Sequence, residues 1–121
     1  MQLTAKKVSI DRMFRAFSDR TRLRILSMLR DGRELCVCDI IRVIRAPQAK
    51  ISRHLAYLRK ANLVLARKEG LWVHYRLAPV SGAFHTKLIE CLQCCFQDVP
   101  ELKKDQMNLK KTACVASGEC C

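Results

Sequence analysis

The pair Ala46-Pro47 constrains this chain more than any other two residues. A short apolar stripe at helical spacing lies on each side of it. Val37, Ile40, Ile41 and Ile44 come before, and Ile51, Leu55 and Leu58 follow. A residue that precedes proline avoids the helical region, so one long helix is excluded. Pro47 can itself open the next helix from its first position. The segment therefore reads as two short helices joined by a tight turn. The third helix of the chain runs from Cys36 or Val37 to about Arg45, and the fourth from Pro47 to near Asn62.

Two helices precede this pair. Ile10 to Phe17 carries Met13, Phe14 and Phe17 at helical spacing. Ser18 or Asp19 is a polar N-cap for a second helix that reaches about Arg30, with Leu23, Leu26 and Leu29 as its stripe. Asp31-Gly32 ends it, as a C-terminal glycine does. After Asn62 the period changes to alternation. Leu63 to Lys68 and Trp72 to Leu77 read as strands around Glu69-Gly70-Leu71. Helical spacing returns from Val80 to Gln97, with Phe84, Leu88, Ile89, Leu92 and Phe96 apolar. Asp98 to Cys121 is polar and patternless. Residues 1–97 are thus expected to form one domain and 98–121 a flexible, cysteine-containing tail. A mainly α chain in which a helix pair precedes a small β-hairpin has the parts of a winged helix-turn-helix.

The charge sits on those parts. The chain has 23 Lys and Arg against 11 Asp and Glu, a formal net charge of +12. Nine of the cations are Arg42, Arg45, Lys50, Arg53, Arg59, Lys60, Arg67, Lys68 and Arg76, and Glu69 is the one acid among them. Such a balance asks for a polyanion. If Ile51, Leu55 and Leu58 face the core, the opposite face of the fourth helix is small, polar and cationic. It suits entry into a major groove about 12 Å wide. Gln48 and Arg53 are of the types that pair with adenine and guanine edges, while Lys50, Ser52 and His54 suit phosphates equally. Arg67 and Lys68 on the hairpin reach backbone or minor groove. A solvated charged face is the plainer account of the same pattern.

Composition excludes other classes. Half the residues are apolar, at 50%, too many for a disordered chain. No run approaches the roughly 18 apolar residues of a membrane span. Met1 to Met13 has no apolar stretch of signal-peptide length. A cytoplasmic protein without a membrane partner is expected. No Gly-rich phosphate loop or nucleophile constellation is present, so an enzyme with a catalytic cofactor is not expected.

Several motifs occur together in a telling order. Phe17-Ser-Asp-Arg-Thr-Arg-Leu-Arg-Ile-Leu26 resembles the second helix of the ArsR/SmtB family of metal-responsive repressors. Glu34-Leu-Cys-Val-Cys-Asp39 resembles its metal-binding box in the arsenic and cadmium/lead branches. Gln48-Ala-Lys-Ile-Ser-Arg-His-Leu55 is similar to its recognition helix, and Arg67-Lys-Glu-Gly70 with Trp72-Val-His-Tyr-Arg76 to its wing. The likeness covers roughly residues 10–97. It implies a homodimer paired through the first and last helices. It also implies repression from a partly palindromic double-stranded operator, relieved when trivalent arsenic or antimony binds.

Thiolates are soft ligands that select soft metals. In Cys36-Val37-Cys38 the box supplies two sulfurs of a three-sulfur site. Two buried thiols acting as packing residues is the alternative. Residues i and i+2 lie about 200° apart on a helix, so joint binding requires the first turn of the third helix to unwind or tilt. The arsenic branch often places a third cysteine where this chain has Ile41, and no cysteine precedes Cys36. A third ligand must come from elsewhere. Cys91, Cys94 and Cys95 cluster at the end of the last helix, and Cys114, Cys120 and Cys121 lie in the tail. Either group could complete the site or form its own. A zinc site on the last helix would have only His85 and Glu90 to draw on. The open alternatives are therefore a sensor of cadmium, lead or zinc with the same fold, a thiol-redox switch, and a structural zinc protein.

Overall fold

The computed structural model describes residues 9–94 and 99–112, the last two by backbone alone. Helix α1 spans Ile10–Phe17, and its N-cap Ser9 accepts the Arg12 amide. Helix α2 spans Arg20–Met28. Asp19 is its cap, accepting the Arg22 amide at 3.1 Å, so Asp19 and not Ser18 starts it. Strand β1, Leu35–Cys36, runs directly into helix α3, Val37–Ile44. Arg45 closes α3 in the left-handed region at φ 61°. Helix α4 follows at Gln48–Lys60. Pro47 stands just outside it as the N-cap, because its ψ of 145° is extended rather than helical.

Asn62, also left-handed at φ 64°, turns the chain out of α4. Its amide donates to the Arg59 carbonyl and that of Leu63 to Leu58, which satisfies carbonyls at the helix end. Strands β2, Val64–Glu69, and β3, Trp72–Leu77, pair antiparallel from Val64↔Leu77 to Glu69↔Trp72. Gly70, at φ +61°, supplies the positive φ of the tight loop between them. The expected two-stranded hairpin is in fact a three-stranded sheet of order β1-β3-β2. Leu35 pairs with Tyr75 and Cys36 with His74. Two residues are too short to display an alternation, which is why β1 has no signature in sequence.

Helix α5 covers Ala83–Cys94 and starts three residues later than the expected Val80. Ser81 and Gly82 form its entry instead. The Ser81 amide donates to Nδ1 of the buried His85, and the Thr86 hydroxyl donates to the Gly82 carbonyl. Residues 95–98 lie outside the described residues.

The largest departure from expectation is helix α6, Pro100–Thr112, inside the segment read as a flexible tail. It packs on α2 and α3. Leu102 and Leu109 are buried, and Asp105 between them is 2% exposed. That carboxylate takes a two-pronged ion pair from Arg24, with Nε to Oδ2 at 2.8 Å and Nη2 to Oδ1 at 2.9 Å. Gln106 donates to the Ser27 carbonyl at 2.8 Å. One of the inward positions of α6 is thus a charge satisfied by a residue 81 positions away, so the apolar stripe is too thin to read. The domain extends past residue 97 through α6. Residues 113–121 lie outside the described residues.

The core joins Met13 and Ala16 of α1 to Ile25, Leu26 and Leu29, to Ile40 and Ile44, and to Ile51, Leu55 and Leu58. Phe14, expected in the inward stripe of α1, is 56% exposed and meets Phe84 of α5 edge to face at 5.3 Å. Among the described residues no helix is long and apolar enough to cross a membrane.

Candidate nucleic-acid interface and thiol site

Helix α4 is divided as its spacing demands. Ile51, Leu55 and Leu58 are fully buried, while Gln48, Ala49, Lys50, Ser52, Arg53 and Ala56 are exposed. Four expected contact residues, Gln48, Lys50, Ser52 and Arg53, are thus all exposed. Small Ala49 and Ala56 leave room for close approach. The fold holds this helix from behind against α2 and α3.

His54 is placed differently. It is half-buried, with Nδ1 3.4 Å from the Arg22 guanidinium and Nε2 3.9 Å from Asp19. Burial pushes its imidazole below the usual range and outweighs the pull of Asp19; Arg22, Lys50 and Arg53 press the same way. It is therefore neutral near pH 7 and orients α4 on α2. Arg22 was not foreseen. Its guanidinium donates to the carbonyls of Ala16 at 3.3 Å and Arg15 at 2.9 Å, and lies 4.0 Å over the Tyr57 ring. One side chain thereby ties the end of α1 to two residues of α4. Its partners are scattered along the chain, so no local pattern announces it.

The wing is anchored rather than free. Arg67 binds Glu34 through Nη2 at 2.7 Å and Nε at 3.0 Å, and Glu69 at 3.0 Å. These hydrogen bonds hold the guanidinium's pKa above its ordinary value and that of Glu34 below the usual carboxylate range. Arg76 adds a longer contact to Glu34 at 3.9 Å. Arg67 therefore fastens β2 to the segment entering β1. Lys68 is exposed and makes no ion pair among the described residues. At the tip, Leu71 is 93% exposed.

The thiol pair straddles a junction. Cys36 is the last residue of β1 and the N-cap of α3; Cys38 lies in the first turn. Cys36 is 1% exposed, and its thiol donates to Oδ2 of the buried Asp39 at 3.4 Å. Asp39 in turn meets Arg42 at 3.6 Å. Cys38 is half-buried and disulfide-bonded. On α5, Cys91 is half-buried and Cys94 exposed, both as free thiols. Cys95, Cys114, Cys120 and Cys121 lie outside the described residues. Among the described residues no three His, Cys, Asp or Glu side chains converge on one point. His85 is buried, whereas Glu90 is exposed and pairs with Lys87 at 3.5 Å.

Comparison with known proteins fits this arrangement. The sequence profile described as bacterial regulatory protein, arsR family, matches residues 19–65, from the cap of α2 into β2. The chain is 46% identical over 86 residues to the arsenical resistance operon repressor of Escherichia coli strain K12, covering 71% of this chain and 74% of that one. The chain belongs to the ArsR family. A cadmium resistance transcriptional regulatory protein CadC homolog of Staphylococcus aureus is 39% identical over 70 residues, 58% of each chain. Among solved structures, HlyU from Vibrio cholerae N16961 superposes with a TM-score of 0.62 at 34% identity. It covers 71% of this chain and 89% of its own. The family resemblance read from the motifs is thus correct, as is the mainly helical winged fold. ArsR-family proteins are transcription regulators, which accords with a basic surface.

Proposed function

We propose that this ArsR-family chain is a homodimeric transcriptional repressor. It binds double-stranded operator DNA through α4 and the wing, and leaves it when trivalent arsenic or antimony engages its thiols. The observation that carries the reading is the position of Cys36. This one residue ends the strand paired with the wing at His74 and caps the helix that supports α4. A ligand that draws Cys36 and Cys38 together acts on both DNA-contacting parts at once.

DNA contact rests on Gln48, Lys50, Ser52 and Arg53 from α4 and on Lys68 from the wing. His54 and Arg67 serve this surface by positioning it. Dimerisation through α1 and α5 is supported by the exposed Ile10 and Phe14, with Phe84 behind them.

Trivalent arsenic supplies bonds to thiolate sulfur. Cys36 and Cys38 would hold it, with a third sulfur from outside the described residues or from Cys91 or Cys94. Cys36 must first give up its hydrogen bond to Asp39 and emerge from the core, which disrupts the first turn of α3. Cys38 must be reduced. By linkage, whatever binds the opened form better lowers affinity for DNA.

The test is operator binding with and without arsenite in excess reductant, for the wild type and for Cys36→Ser. The wild type is expected to release and the variant to stay bound. Release by Cys36→Ser at the wild-type arsenite concentration would move the site to Cys91 and Cys94 and sink this assignment. The relative named for cadmium resistance motivates a parallel titration with cadmium.

A further inference from the structure

Outside the helix-turn-helix and wing, the charges of α6 are sorted by side. Its two carboxylates, Glu101 and Asp105, are both spent on α2. Glu101 takes Arg20 at 2.9 Å and Arg24 at 3.5 Å, and Asp105 takes the forked Arg24 pair. Lys103, Lys104 and Lys110 are exposed. The inward face of the helix is neutralised and the outward face carries cations alone.

One of those lysines has a specific neighbour. A cavity of about 510 Å³ opens between α3 and α6, and both Arg45 and Lys104 line it. Its two carboxylates are the ones already bound by Arg24. Arg45 is the exposed, left-handed residue between α3 and α4, three positions before Gln48. Neither Arg45 nor Lys104 makes an ion pair among the described residues. The groove thus brings together two uncommitted cations, one of them three residues before α4, whose first turn is the end a recognition helix presents to DNA.

We propose that α6 is part of the DNA-binding surface, with Lys104 and Arg45 holding a backbone phosphate that flanks the groove entered by α4. The inference rests on the DNA-binding reading above and extends its footprint to an element outside the matched family segment. A phosphate is the ligand because the uncommitted groups are cations and the groove is open to solvent. Such a contact positions without reading sequence.

The test uses the full reduced chain and a long-flanked duplex recovered by the wild type from a randomised pool. Affinity is measured across a salt series by fluorescence anisotropy. Lys104→Gln is expected to weaken binding roughly 3- to 10-fold, about equally on selected and unrelated duplexes, and to lower the salt slope by about one per protomer. Lys104→Arg should restore both. Lys87→Gln removes the same charge from α5 and should change neither. Unaltered affinity and slope in Lys104→Gln, while Arg53→Ala weakens binding, would overturn the role of α6 and leave the recognition helix intact. Equal losses in Lys104→Gln and Lys87→Gln would reduce the effect to net charge and overturn it too. If Arg53→Ala also binds as the wild type does, the assignment of the DNA surface itself fails.

Discussion

Removing the Asp105 carboxylate should loosen α6 by an amount the structure lets one estimate. Asp105 is 2% exposed and holds the Arg24 guanidinium by two hydrogen bonds below 3 Å. Breaking a buried pair by deleting one partner costs about 3–5 kcal/mol, because the remaining charge is stranded. Here the stranded group is Arg24, whose side chain is 18% exposed and keeps Glu101 at 3.5 Å. The cost therefore falls to about 2–3 kcal/mol, a large share of the 5–15 kcal/mol typical of a domain. With a urea m-value of about 1–3 kcal/mol per molar, Asp105→Ala should lower the unfolding midpoint by about 0.7–3 M. The double variant with Arg24→Met should recover part of the loss, since no guanidinium is then left unpaired. Two routes are open to the variant, and hydrogen exchange separates them. If α6 undocks alone, amides from Lys103 to Leu109 lose protection while those of α2 keep theirs. If the whole domain gives way, both lose it. An Asp105→Ala midpoint within experimental error of the wild type, with α6 protection unchanged, would refute the argument that this pair clamps the helix.

Three further outcomes follow from the same contacts. Arg53→Ala should cost about 1–3 kcal/mol of operator affinity and relax preference at one base position if it reads a base edge, which binding to single-base operator variants would reveal. Glu34→Gln should leave the fold intact but release Arg67, lowering wing protection in hydrogen exchange; unchanged protection in β2 would show that the pair holds nothing. Stability should fall as pH drops from about 7 towards 5, because burial lowers the imidazole pKa of both His54 and His85. The unfolded chain takes up those protons first, from about pH 6.5 downward, so acid favours unfolding. A second loss is expected below about pH 4.5 as Glu34, and then Asp19, lose the hydrogen bonds that hold them ionised. Chemical denaturation across pH checks both, and a flat profile between pH 7 and 5 would contradict the histidine account.

What could be read from the sequence was whatever is local or periodic. Ala46-Pro47 separates α3 from α4, and the buried triplet Ile51, Leu55 and Leu58 fixes which face of α4 is outward. Those two facts alone place Gln48, Lys50, Ser52 and Arg53. The failures share a physical cause. β1 is two residues long, and Asp105 occupies an inward position of α6. Each depends on a partner far along the chain, and spacing carries no information about remote partners. Arg67 is the instructive case. Its charge was legible, but the carboxylates that bind it, Glu34 and Glu69, were not, and they make it a strut of the wing.

That strut bears on how a thiol effector could reach the DNA surface. Glu34 is two residues before Cys36, and it grips Arg67 of β2 while Cys36 pairs with His74 of β3. The segment Glu34-Leu35-Cys36 is therefore bonded to both wing strands and continuous with α3. A hundredfold release of operator requires about 2.7 kcal/mol of difference between the bound and released forms. Opening Cys36 would expose a buried thiol, break its hydrogen bond to Asp39 and loosen two residues of sheet, changes of about 1 kcal/mol each. The contacts around one residue thus have the scale needed to couple thiol and DNA without unfolding the domain. Phe14, Arg22 and the core of α2 lie outside this segment, so the proposed dimer face and the docking of α4 on α2 can persist while the wing and the start of α3 move.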